Sequence, residues 1–197
     1  MTQTLRALAL ALAAASAPAV AAEAVYHAVL TGSAEAPPNA SPATGTAHVV
    51  FDFDTATLLV QADFSGLLAG STNAHIHCCT AEAGTGTAGA ATPVPTFPGF
   101  PSGVMAGSYE QSFDMLQASS YNPAFITANG GTVADAMNAL LVGLNSGTAY
   151  FNIHSTQFPG GEIRGFLAPI PEPSTYGLML AGLVALGAAA QRRRSAR

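Results

Sequence analysis

Ala47-His48-Val49-Val50-Phe51-Asp52-Phe53, followed across Asp54-Thr55-Ala56-Thr57 by Leu58-Leu59-Val60-Gln61-Ala62-Asp63-Phe64, is the stretch that decides the fold. Its first run places Ala47, Val49, Phe51 and Phe53 on one face and His48 and Asp52 on the other, the period-two alternation of a half-buried strand. The short polar link makes the pair a hairpin. Working outward, the same reading gives strands at Val25–Leu30, Ala74–Cys79, Gly107–Asp114, Thr148–His154 and Glu162–Leu167. About seven to eight short strands without intervening helices imply an all-β chain, a Greek-key antiparallel β-sandwich. One accessory helix is expected across an end or edge of it. Thr132 caps that helix, Val133, Met137, Leu140, Leu141 and Leu144 recur on one stripe, and Gly147 lies past its end.

Composition narrows the function. Only 9% of the 197 residues are charged, against roughly 25% in an ordinary soluble domain. There is no lysine, and Arg164 is the one cation between residues 23 and 170, against ten Asp and Glu. A chain with no basic face excludes nucleic acid as a partner. The absence of lysine excludes Schiff-base and P-loop chemistry. Neither a Gly-x-Ser-x-Gly elbow nor a carboxylate pair of diagnostic spacing is present, so hydrolysis has no support. Arg164 shares a face with Glu162, and its simplest role is to pair with a carboxylate and neutralise part of the acidic field. From Thr80 to Gly107 the chain is a long loop rich in Gly, Ala, Thr and Pro, in which Phe97 and Phe100 are expected to pack down as a lid.

Both ends read as addresses. Arg6, the apolar run Ala7–Ala15 and the small residues Ala19-Val20-Ala21-Ala22 have the layout of a secretory signal peptide over residues 1–22, leaving 23–170 as the working domain. At the other end Pro171-Glu172-Pro173-Ser174 precedes an apolar stretch from Tyr176 to Ala190 and then Arg192-Arg193-Arg194. As a helix that stretch spans about 23 Å, short of the roughly 30 Å hydrocarbon core, and Thr175 with snorkelling arginines extends it into a membrane contact over 175–191. Residues 171–197 thus resemble the PEP-CTERM sorting tail of bacteria. That resemblance implies processing by exosortase-type machinery and delivery to the Gram-negative cell envelope, its surface or the extracellular matrix. A simple tail anchor is the other reading of the same residues.

Asn73-Ala74-His75-Ile76-His77-Cys78-Cys79 is where chemistry could reside. On a strand His75, His77 and Cys79 share one face, while Ala74, Ile76 and Cys78 share the other. Ala149-Tyr150-Phe151-Asn152-Ile153-His154 follows the same pattern, with Tyr150, Asn152 and His154 pointing away from the apolar set. If the two strands are neighbours, His75, His77 and His154 converge on one outer surface. Imidazole is the commonest transition-metal ligand near neutral pH, and a thiolate from Cys79 beside it would favour copper or zinc. A solvated strand face with no ion is the competing account. His27 and His48 have no such pattern and are read as structural or surface residues. For the cysteines of an exported chain, metal ligation by Cys79, a vicinal disulfide and intermolecular pairing all remain open.

Three stretches together resemble the CHRD domain. They are Leu30-Thr31-Gly32-Ser33-Ala34-Glu35-Ala36-Pro37-Pro38, Ala74-His75-Ile76-His77, and Tyr150-Phe151-Asn152-Ile153-His154-Ser155 leading to Pro159-Gly160-Gly161-Glu162-Ile163-Arg164-Gly165. The resemblance covers residues 25 to 168 and implies a β-sandwich module without a defined activity. The His-x-His strand also looks like the copper-binding strand of copper/zinc superoxide dismutases, on which His75, His77 and His154 would be the ligands. The bridging and zinc ligands of those enzymes have no counterpart here. The leading expectation is therefore an exported binding or structural module, not an enzyme, that holds copper or zinc. The alternative is a copper-dependent redox enzyme.

Overall fold

The computed structural model describes residues 23–170 together with Gly182, Leu183, Val184, Leu186 and Gln191. The expected signal peptide over 1–22 and most of the expected membrane contact over 175–191 lie outside the described residues. Among the described residues no helix is long and apolar enough to cross a membrane.

Eight strands form one antiparallel sheet: β1 (Glu23–Thr31), β2 (Thr44–Asp52), β3 (Thr57–Ser65), β4 (Ser71–His77), β5 (Gly107–Asp114), β6 (Tyr150–Ser155), β7 (Ile163–Phe166) and β8 (Ala168–Ile170). Their order is β4-β6-β7-β1-β2-β3-β5, with β8 also paired to β1. The sheet curls so that its two ends face each other, which gives the sandwich-like core. The chain leaves β3 for β4 at the far end of the sheet and then returns to pair β5 with β3.

The β2–β3 hairpin forms in the register its alternation requires, with Val49 opposite Val60 and Phe51 opposite Leu58. Ala47, Val49, Phe51, Leu58, Val60, Ala62 and Phe64 are buried, and the alternate residues reach the surface. Phe53 is a correction: β2 stops at Asp52, and Phe53 is 46% exposed beside Phe51. Phe97 and Phe100 pack down as expected. Phe97 is fully buried and meets Phe113 of β5 and Phe151 of β6, so one loop side chain joins the two ends of the curled sheet.

Two helices follow β5. The shorter, α1 (Pro123–Ala128), was not read from the sequence, although Asn122 accepts a hydrogen bond from the Ala124 amide at its start and Pro123 sits in its first turn. α2 (Val133–Ser146) begins at Thr132, whose hydroxyl accepts from the Asp135 amide, and ends at Gly147 in the left-handed region with φ 69°. It buries Ala136, Leu140, Gly143 and Leu144, and Tyr26 of β1 donates its hydroxyl to Asn145 Oδ1 at 2.9 Å. This fixes the accessory helix against one end of the sheet.

Candidate metal centre

β4 and β6 are neighbours, paired antiparallel with His75 opposite Asn152 and His77 opposite Tyr150. Because side chains alternate along each strand, Ala74, Ile76, Phe151 and Ile153 enter the apolar core, and His75, His77, Tyr150, Asn152 and His154 share the other face. The convergence expected of the three histidines is therefore present. Each ring offers one ligand nitrogen, and the offered atoms lie within 4.8 Å of one another. The ring centroids of His75 are 5.5 Å from those of both His77 and His154.

The surface exposed to water is not present, which corrects the expected outer placement. His75 is 4% exposed and His154 7%, while His77 is half-buried. Loops supply the cover. The 80–106 loop runs along the free edge of β4, where the Ala91 amide donates to Ile76 O at 2.8 Å and the Ile76 amide donates to Thr92 Oγ1 at 2.9 Å. It then turns its carbonyls onto the imidazoles. His75 Nε2 donates to Pro95 O at 2.8 Å, His77 Nδ1 to Ala88 O at 2.9 Å, and His154 Nδ1 to Pro159 O of the 156–161 loop at 2.9 Å. A carbonyl can only accept, so each of these bonds sets the tautomer. The remaining nitrogens, His75 Nδ1, His77 Nε2 and His154 Nε2, are buried lone pairs without a partner. A ring held by one N–H on a carbonyl, with the other nitrogen free, is how metal-binding histidines are oriented.

Electrostatics keep those lone pairs available. Burial, reinforced by the neighbouring His154, lowers the pKa of His75 to about 4. Burial also lowers His77 to about 4, against the contrary pull of its bond to Ala88, and lowers His154. All three rings are neutral near pH 7, the state in which imidazole binds metal.

Beside the histidines lies a polar layer. Asn152 Nδ2 donates to Glu35 Oε1 at 2.7 Å, and Glu35 Oε2 is 3.8 Å from Arg164 Nε. Arg164 also donates to Ala34 O and Gly86 O, and its guanidinium lies 4.7 Å over the Tyr150 ring, which in turn stacks on His77. Burial raises the Glu35 carboxyl to about 7 in spite of Arg164 and Asn152, which pull it down. The carboxylate partner of Arg164 is thus Glu35, 129 positions away in the chain by their numbering. The sequence predicts a carboxylate partner for the arginine without naming it. Glu162 instead accepts from Ser41 Oγ and the Leu68 amide. Asn152 and Glu35 were quoted among the motif residues but given no role, since only the fold brings them to the histidines.

Cys79 is not with the histidines. β4 ends at His77, so strand alternation no longer governs the two residues that follow. Cys78 and Cys79 form a vicinal disulfide, and both sulfurs lie against Ala139 O and Gly143 of α2. Of the readings open for the cysteines, the structure has the vicinal bridge, and neither sulfur joins the histidine cluster. His27 and His48 face each other across β1 and β2, away from the cluster.

Comparison with known families agrees with the architecture and the tail. The CHRD domain family matches residues 26–167, most of the chain, and the PEP-CTERM protein-sorting motif matches 169–194. The second match means recognition by exosortase sorting machinery, and with it export to the Gram-negative cell envelope. No curated protein matches the chain, and no solved structure does.

Proposed function

The chain belongs to the CHRD domain family and ends in a PEP-CTERM sorting motif, and from that premise we propose that it is a non-catalytic module of the cell surface or extracellular matrix that holds one copper or zinc ion on His75, His77 and His154. One observation carries the reading. Three buried imidazole nitrogens without partners point to a common centre, and the opposite nitrogen of each ring is tied to a backbone carbonyl. Three uncompensated acceptors in one buried place are unfavourable unless a cation satisfies them. Copper and zinc suit an all-imidazole set, whereas magnesium and calcium require oxygen.

Bound metal would act first as a clasp. It would tie β4 to β6 and, through the carbonyl bonds, hold down the 80–106 and 156–161 loops. Its binding energy becomes folding energy, which suits a module that works outside the cell. The half-buried His77 is the observation that favours the second reading, a copper redox enzyme, because it is the least buried of the three ligands.

The test is elemental analysis of the full chain after reconstitution with copper or zinc, beside a His75→Ala, His77→Ala variant. About one ion per chain, lost in the variant, is the expected result for a three-ligand site. A wild-type chain that stays metal-free overturns the proposal. Reversible one-electron cycling of bound copper in a voltammogram would favour the enzyme over the clasp.

A further inference from the structure

Five buried side-chain atoms in the described residues lack a hydrogen-bond partner. Three are the ligand nitrogens above. The fifth, Glu162 Oε2, belongs to a carboxylate whose other oxygen is well served by Ser41 and Leu68. The remaining one, Asn152 Oδ1, lies on the histidine face: Asn152 is opposite His75 across the β4–β6 pair and two residues from His154 on the same strand. Its side chain is 2% exposed. We propose that Asn152 Oδ1 is the acceptor for a protic ligand, water in the resting protein, that completes the coordination of the ion held by the three histidines. This inference rests on the metal reading above.

The amide cannot be reversed to present its nitrogen instead. Nδ2 is committed to Glu35 Oε1 at 2.7 Å, and that carboxylate is itself held by Arg164. Gly161 fixes the plane from above. Its φ is +132°, and a Cβ there would fall 2.8 Å from Oδ1 and 2.7 Å from both Nδ2 and Glu35 Oε1, so only glycine closes over the pair.

Four acceptors, and no donor among them, therefore share one buried face. A metal ion satisfies the three nitrogens. An amide oxygen is a hard donor that copper and zinc rank below imidazole, so its natural partner is the proton of a metal-bound water. Such a water has the two partners it needs, the ion through its lone pair and Asn152 Oδ1 through its hydrogen. Three protein ligands with water in the fourth position is a usual arrangement for zinc. A groove of about 340 Å³ is lined by Glu35, Pro37, Asn39, Phe158 and Gly161, and two of these, Glu35 and Gly161, are the residues set against the Asn152 amide.

Azide tests the assignment, because it competes with water for the metal but has no proton to donate to Asn152. The full chain is loaded with cobalt(II), and azide is titrated against the cobalt absorption bands in wild type, Asn152→Ala and Asn152→Asp. In Asn152→Ala water loses its acceptor and azide should bind about tenfold more tightly, the loss of one hydrogen bond. In Asn152→Asp the acceptor is kept and a negative charge added, so azide should bind more weakly than in wild type. Both variants lose the donor to Glu35, so that loss enters both with the same sign and does not by itself separate them. A shift of the same sign in both, or equal affinity in all three at equal cobalt content, overturns the proposal. If the alanine chain does not fold, Asn152→Leu, close in volume and likewise without the acceptor, takes its place: tighter azide binding supports the assignment, and equal or weaker binding overturns it. A wild-type chain that takes up no cobalt overturns the three-histidine centre as well, which separates the two failures.

Discussion

The β2–β3 hairpin and the β4–β6 pair carry the same alternation and reach opposite outcomes. In the hairpin the apolar residues Val49, Phe51, Leu58 and Val60 enter the core, and Gln61 and Asp63 meet water. In the β4–β6 pair Ala74, Ile76, Phe151 and Ile153 enter the same core, yet every residue of β6 is buried on both faces. The difference lies outside the strands. The outer face of the hairpin is open, whereas that of β4–β6 is roofed by the 80–106 and 156–161 loops, which bring carbonyls onto the histidines, and by the 33–39 loop, which brings one onto Arg164. Polar residues on a strand therefore have two meanings. Facing water they are a solvated surface, and under a roof they must find partners or a ligand.

Substitutions on the roofed face should cost far more than on the open one. Arg164→Ala leaves Glu35 buried without its cation, and about 3–5 kcal/mol of stability should be lost in urea unfolding near pH 8. The loss should shrink at pH 5, where the carboxyl, raised to about 7 in the fold, is protonated. An equal loss at both pH values would mean that the arginine acts through packing on Tyr150 and Phe166 alone. Phe97→Ala should cost a similar amount, about 3–5 kcal/mol, because it empties the site where the two ends of the sheet meet. A cost below 1 kcal/mol would show that the roof is not part of the core.

Smaller effects sharpen the contrast. Thr92→Val keeps the shape of the loop but removes the acceptor for the Ile76 amide, and should cost about 1–3 kcal/mol. Gln61→Ala, on the open face and bonded only to the exposed Glu110, should change stability by less than about 0.5 kcal/mol. If the two substitutions cost the same, the distinction between roofed and open faces fails.

Acidification tests the roof without a mutation. In metal-free protein His75 and His77 have folded values near 4 against 6.5 unfolded, and His154 is lowered as well. Their contribution is present above pH 6.5 and is lost as the pH falls toward 4, because the unfolded chain takes up protons that the folded one refuses. Glu35 runs the other way. Raised from 4.5 to about 7, it stabilises below pH 4.5 and loses that contribution as the pH rises through 7. Three histidines outweigh one carboxyl, so the urea midpoint measured with chelator should fall between pH 6.5 and 4.5. A flat profile would mean that the imidazoles are wet.

How much was legible follows from the same contrast. Strand positions, the Thr132 cap, the Gly147 terminus and the shared face of His75, His77 and His154 are local facts, set by residue spacing and the period of a strand or helix. The pairing of β4 with β6 could be stated only as a condition. Phe53 and Cys79 were misplaced because alternation was extended past the last paired residue, Asp52 in one strand and His77 in the other. α1 escaped notice because six residues give too little periodicity to read, although Asn122-Pro123 marks its start.

The sequence by itself determined the sorting address, the antiparallel β class and which side chains leave the apolar core together, since each depends on composition or on neighbours a few residues apart. Tertiary structure alone decided that the histidines are dry, that Glu35 partners Arg164, that Cys79 is spent on Cys78, and that Asn152 keeps an unused oxygen. Those outcomes depend on which loop lies over which strand, a long-range arrangement that no local period encodes.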